Sequence, residues 1–580
     1  MNTQRAKQSV VWLLAGALMV ATTGQLVGCA PIDGPGDNGN VNDNGDDNAN
    51  DNVNDNVAGL PLVNFSTENF VGSGNCAACH SELTDETGAD VSIDAHWRAT
   101  MMANATRDPF FLASVAAEVE HAPDLRETIE DVCASCHMPM AHTQAVADGT
   151  DTLILNGGFF SDENSLHVPA LDGVSCSLCH QIQGTFLADP EGSFNGNYEI
   201  DTQAVAPGRL LFGPYLDPQQ PGVMQASVGY TPVFGEHIGA SGLCATCHTL
   251  FTPTLDAQGE IVGTFPEQTP FLEWQHSEFG DGVGDDQQCQ DCHMPVAEGS
   301  AVISRVPSGL EAREPFYQHQ FLGGNVQMLR LLRDNIEELG LTASTVQFND
   351  SIARTEDFLQ NETADLAIID ARISGQTLTT TLEVTNMTGH KFPTSFPSRR
   401  AWILLTITDS NGTVIFESGT PQTDGSIIGN NAVMDATIFE PHRDVITSAD
   451  QVQIYEAIME DSAAEVTYTL LRAAAYAKDN RLLPRGFDKA TAHADVAVYG
   501  EAANDVNFTG GSDQITYEID TAGRNGPFTV TAELLYQSVS YRFAVEAREI
   551  DTPLNNQFGD LYDAADKTPT VIASALTILP

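Results

Sequence analysis

The chain has 580 residues, with 25 Lys and Arg against 79 Asp and Glu, giving a formal net charge of −54. A surface this acidic excludes nucleic acid as a natural partner, because no basic patch survives such a field. The same field steers basic partner proteins in a salt-dependent way, or serves only as an adaptation for solubility or high salt.

Residues 1–29 read as an export signal: Arg5 and Lys7, an apolar run from Val10 to Val20, then Leu26-Val27-Gly28-Cys29. The run is too short to cross a bilayer comfortably. Its end resembles a bacterial lipobox, which implies that Cys29 is lipidated and becomes the mature N-terminus, a stable membrane anchor. The alternative is an ordinary cleaved signal with an incidental cysteine. Ala30 stands where the lipoprotein rule places a retaining Asp, so the expected location is the outer membrane or cell surface, facing periplasm or exterior. Residues 30–60 are nearly all Asn, Asp and Gly up to about Val57 and predict a disordered tether.

Between Cys76 and His293 lie five Cys-x-x-Cys-His pentapeptides: Cys76, Cys79 and His80; Cys133, Cys136 and His137; Cys176, Cys179 and His180; Cys244, Cys247 and His248; Cys289, Cys292 and His293. A single Cys-x-x-Cys reads equally as a thiol redox pair or half a zinc site. Five copies, each closed by His and together using ten of the eleven cysteines, read as attachment sites for five covalently bound haem c groups. The thiols would form the thioethers, and His80, His137, His180, His248 and His293 would be the proximal iron ligands.

Intervals this short leave little room for an ordinary core, so residues 61–361 are expected to form a loop-rich, mainly α pentahaem domain in which the cofactors supply much of the buried surface. Short helices are predicted near Ala95–Ala105, Phe110–Glu120 and Phe271–Glu278. A longer one runs from Val326 to Leu339, capped by Asn325 and ended by Gly340. From about residue 362 to 580 the texture changes to β: Gln376–Thr385, Ala401–Thr408, Thr413–Glu417, Glu465–Arg472, Gln514–Ile519 and Phe528–Tyr536, with turns at Asp409–Gly412 and Ala522–Gly526. The fold class is therefore mixed: an α multihaem domain followed by an all-β, sandwich-like domain.

Low-spin haems need a second axial ligand, and ten histidines lie outside the motifs. The candidates are His167 and His237, shortly before the third and fourth motifs; His319, in an aromatic stretch; His96, with Met101 and Met102 as competitors; and His390, in Gly389-His390-Lys391-Phe392-Pro393, which would clamp the β half onto the haem half. His121, His142 and His276 are reserves, and His442 and His493 are expected to be structural. Met138 and Met294 are expected to pack against porphyrin edges.

Leu243-Cys-Ala-Thr-Cys-His-Thr-Leu250, Glu273-Trp274 with Ser277, Cys289-Gln-Asp-Cys-His-Met-Pro295 and His319-Gln-Phe-Leu-Gly-Gly-Asn325 resemble multihaem c-type cytochromes related to the tetrahaem electron acceptor of hydroxylamine oxidation. Gly389-His-Lys-Phe-Pro-Thr394, Pro397-Ser-Arg-Arg-Ala-Trp402 and Lys478-Asp-Asn-Arg-Leu-Leu-Pro-Arg-Gly486 resemble the C-terminal β extension of such proteins. In the related carriers a Trp-x-x-Ser-x-His run supplies a distal ligand, but here Trp97 leads to Met102 and Trp274 to Phe279. Pentahaem nitrite reductases use a Cys-x-x-Cys-Lys motif that this chain lacks, so nitrite ammonification is not expected.

The resulting expectation is a membrane-anchored carrier passing electrons between redox partners, basic cytochromes among them. Two alternatives stand beside it. One is a multihaem oxidoreductase in which one haem lacks its distal ligand and takes a small nitrogen or sulfur compound. The other makes the β half a docking or filament module.

Overall fold

The computed structural model describes residues 57–189, 192–280, 282 and 286–580. The signal segment, Cys29 and the tether up to residue 56 lie outside them. Residues Val57 and Leu60, expected to close the tether, are held by the backbone: Thr345 N–H donates to the Val57 carbonyl at 3.1 Å and Leu60 N–H to the Leu341 carbonyl at 2.8 Å. Among the described residues no helix is long and apolar enough to cross a membrane.

Helices dominate the first half. Ile93–Arg98 is much shorter than the expected 95–105, because polar side chains take over the backbone groups beyond it. Thr100 donates to the Trp97 carbonyl at 2.7 Å, and the Asn104 amide donates to the Arg98 and Thr100 carbonyls. Pro109–His121 starts where Asp108 accepts the Phe110 N–H at 2.9 Å and Pro109 fills the first turn. The expected 271–278 helix is Pro270–Gln275. The 326–339 helix divides into Val326–Asp334 and Ile336–Leu339, with the Asn335 side chain donating to the Leu331 carbonyl at the break; Asn325 makes no capping hydrogen bond, and Gly340 ends it at φ 62°. A helix not foreseen, Thr345–Glu362, carries a Ser344/Gln347 capping box.

The second half holds two open sheets. In the larger, Arg400–Thr408 pairs antiparallel with Phe528–Gln537 from Arg400 opposite Gln537 to Thr408 opposite Thr529, and Thr570–Leu579 extends the far side. In the smaller, Thr377–Asn386 is flanked by Ala364–Ser374 and Ser512–Asp520. Leu382, Val384, Ile515 and Tyr517 from the smaller sheet meet Ile403, Leu405, Val530 and Leu534 from the larger in one buried core. The expected strand 465–472 reduces to Val466–Thr467 and a 3-10 turn, Leu470–Arg472, because the Leu470 and Leu471 N–H groups are taken by the Glu118 carboxylate instead of a neighbouring strand.

The all-β expectation for the second half is corrected by two helices, Tyr541–Glu549 and Pro553–Ala564. They pack on the haem half: Ala544, Phe558 and Leu561 share a buried cluster with Ala113, Met328 and Leu331. The core between the sheets likewise runs into Val326, Leu329 and Phe348, so apolar packing is continuous across residue 362.

Candidate functional site

Every motif sits on a short helix or its end: Ser73–His80, Arg126–His137, Cys176–Cys179, Ser241–Ala245 and Cys289–His293. Residues i, i+3 and i+4 share a helix face, so the two thiols and the imidazole of each motif point the same way. All fifteen motif residues face one cavity of about 2710 Å³. Shared among five groups that is about 540 Å³ each, within the 300–1,000 Å³ of a single cofactor site.

The motif imidazoles are oriented from behind. Nδ1 of His80 is bonded to the Ile303 carbonyl at 2.6 Å, that of His180 to the Phe212 carbonyl at 2.6 Å, that of His137 to the Ala105 carbonyl at 3.4 Å and that of His293 to the Leu322 carbonyl. A carbonyl on Nδ1 fixes the proton there and leaves the Nε2 lone pair for a metal. Burial holds these rings neutral: it lowers His80, His180 and His293 and takes His137 and His248 down to about 4. The donor set and the space therefore fit haem iron.

Two motif histidines have a second imidazole opposite. The rings of His180 and His319 are 6.3 Å apart, centre to centre, and those of His293 and His390 6.2 Å apart at 14°. Each pair is spaced so that its two imidazoles would hold one metal between them. His390 is fixed by its loop: its Nδ1 meets the Lys391 carbonyl at 2.9 Å, and its own carbonyl accepts from Asn386 Nδ2 and Thr388 Oγ1. Behind it lies a buried ion network that joins the two halves. The Glu273 carboxylate accepts from Lys391 N–H and Thr394 Oγ1 and forms an ion pair with the Arg481 guanidinium at 2.9 Å, while Asp479 pairs with Lys391 at 2.6 Å and Arg481 at 2.8 Å. Despite burial, those two cations hold the Asp479 carboxyl down at about 2.

The other expected ligands are placed differently. Of the ten non-motif histidines, His121, His319 and His390 line the cavity; His96, His167 and His237 do not. His237 spends Nε2 on the Ile182 carbonyl at 2.8 Å; His167 bonds Nδ1 to the Phe159 carbonyl at 3.0 Å, which leaves its Nε2 free but outside the cavity lining. His96 is buried with Nδ1 unpartnered, which leaves it a free ring nitrogen close behind the cavity wall. Met101 and Met102 do line it. His142 is bonded to Asp131 at 2.9 Å.

His442 stands with Asp505 and Asp513 in a buried cluster spaced for a metal. The neighbours of its Nδ1 decide against one. Gln453 Nε2 and Asn480 Nδ2 both donate to Nδ1, and both amides are locked by backbone bonds through their oxygens, to Arg443 N–H and Glu456 N–H. The neutral ring therefore carries its proton on Nε2, pointing at Asp505 at 3.0 Å, with no lone pair left for a cation. His442 is structural.

The motifs also touch one another, which their spacing in sequence does not announce. Contact with Cys176 and then burial push the Cys76 thiol well up; contact with Cys247 does the same to Cys136. Cys244 and Cys289 share a hydrogen bond that raises Cys244 and lowers Cys289 to about 7. The first motif thus abuts the third, the second abuts the fourth, and the fourth abuts the fifth. Cys292, of the last motif, is exposed.

No known family model matches the chain, and no curated protein does. Among solved structures, a penta-heme cytochrome c552 from Thermochromatium tepidum is similar to it, with 16% identity and a TM-score of 0.46 over 84% of this chain and 96% of that one. That likeness falls below the level at which a shared fold follows.

Proposed function

We propose that this chain is an exported, lipid-anchored pentahaem c-type cytochrome that carries electrons between redox partners. The observation that carries the reading is the convergence of all five Cys-x-x-Cys-His motifs on one cavity of matching size. Haem iron supplies the one-electron chemistry. The chain's own residues would attach it through ten thiols and orient four of the five motif imidazoles through backbone carbonyls, in a cavity lined from both halves. Contacts between attachment motifs support one pair, the first and third sites, and one group, the second, fourth and fifth, with Tyr198 between the third site and the second and fourth. The resemblance to the tetrahaem carrier of hydroxylamine oxidation supports the carrier reading. The charge of −54 supports basic partners such as soluble cytochromes, and the lipobox-like Leu26–Cys29 supports anchoring at the outer membrane or cell surface.

The test is mass and absorption after expression in a host that matures c-type cytochromes. Five haem increments on the polypeptide are expected; a colourless product overturns the reading.

One observation favours a second reading, an oxidoreductase with an open haem. Three histidines outside the motifs line the cavity, fewer than the five that full bis-imidazole ligation would take. Carbon monoxide binding to the reduced protein separates the two: none for a pure carrier, at least one site for the enzyme.

A further inference from the structure

Most buried carboxylates here have a compensating partner. Glu273 faces Arg481; Glu130 faces Arg126 at 2.5 Å and accepts the Ile154 and Leu155 N–H groups. Glu267 does not. It lies on the strand Ile261–Gln268, is 4% exposed, faces the cavity, and accepts one long bond, 3.3 Å, from the amide of its neighbour Gln268. The groups acting on it from the packed elements are Glu118 and the Cys136 sulfur. Glu118 in turn faces Glu546 and is held only by the Leu470 and Leu471 N–H groups. Tyr476, from the strand Ala473–Asp479, feels Arg481 ahead of Glu267, and both arginines flanking that strand are spent elsewhere, Arg472 on Asp461 and Arg481 on Asp479 and Glu273. A buried carboxyl with no cation is held as the neutral acid unless positive charge arrives. Burial first, then Glu118, take Glu267 to about 8, and burial takes Glu118 to about 7.

Both carboxyls act on the second motif: the field at the Cys133 sulfur comes from Glu267 and Glu118 ahead of other charges. A ferric centre there adds a positive charge that favours the carboxylate, and a ferrous one removes it. On the haem reading above, we propose that Glu267, with Glu118 as its electrostatic partner, takes up the proton that accompanies the electron at the site of Cys133 and Cys136. One electron arriving from a neighbouring haem is matched by one proton moving from solvent to the Glu267 carboxylate; both leave again on reoxidation. The chain would then move protons with electrons at one of its five sites, rather than electrons alone.

The experiment is a redox titration of the intact holoprotein, followed by absorption between pH 6 and pH 9. In the wild type, reduction of one haem should become up to tenfold less favourable per pH unit within a window, about 59 mV for a one-electron couple. Glu267→Gln should abolish that slope at one haem and leave the other four, with any propionate contribution, unchanged. Glu118→Gln should keep the slope and move its window to lower pH, since it removes the repelling charge; this variant also serves if Glu267→Gln folds poorly. A slope that survives in Glu267→Gln, or a window that stays put in Glu118→Gln, overturns the proposal. A protein without haem absorption would instead sink the reading it rests on.

Discussion

His293 and His390 stand 97 positions apart in the chain, yet their rings lie 6.2 Å apart and within 14° of parallel. The first closes the last attachment motif. The second comes from the loop after the strand Thr377–Asn386, so one metal site would be built by both halves.

Replacing His390 with Ala should therefore leave one iron of five without its second imidazole. The ferric protein should gain a high-spin signal of about one haem, and the reduced protein one new carbon monoxide site. His319→Ala should do the same for the iron of His180, and the double variant should add the two effects, because the pairs share no ligand. Electron paramagnetic resonance with a carbon monoxide titration checks this; an unchanged spin state in His390→Ala would show that another group holds that position.

The network behind His390 yields a stability prediction. Arg481→Met removes the guanidinium from Glu273 and Asp479, both buried, and should cost about 3–5 kcal/mol. Lys391→Met should cost less, because Arg481 still covers Asp479. Denaturant titrations of the holoproteins measure both, and an order reversed between them would mean that Lys391 is the main counter-ion.

Local signals in the sequence are those whose cause is local. The pentapeptides give cofactor chemistry because thiol, thiol and imidazole fall on one helix face whatever surrounds them. The strands 377–386, 400–408 and 528–537 alternate because one face of each is buried. The helices 541–549 and 553–564 were hidden inside β texture, since it is Ala113 and Met328, far away in sequence, that cover their apolar faces. Which histidines lie opposite a motif imidazole depends on the fold: His319 and His390 do, whereas His237, seven residues before a motif, has its Nε2 bonded to the Ile182 carbonyl. Glu267 gave no signal, because only the fold reveals a carboxyl buried without a cation.

Cys29→Ser should release the protein from membranes if the lipobox reading holds, since a single cysteine would carry all the acyl chains that anchor it. Fractionation after expression in a lipoprotein-competent host decides this. Retention of the variant in the membrane fraction would place the attachment elsewhere.

The uncompensated carboxyls also predict how stability depends on pH. Glu267 is raised to about 8 from an ordinary 4.5, so between those values the folded protein binds more protons than the unfolded chain. Stability then falls as pH rises through that window, on the order of 5 kcal/mol for a shift of this size. Asp479, lowered to about 2, works in the opposite sense: it stabilises above its ordinary 3.8, and that contribution is lost as pH falls toward 2. Glu267→Gln should flatten the decline between pH 5 and pH 8 while leaving the acid limb intact. Unfolding free energies of the holoprotein measured across that range test it, and an equal decline in the variant would assign the alkaline loss to other groups.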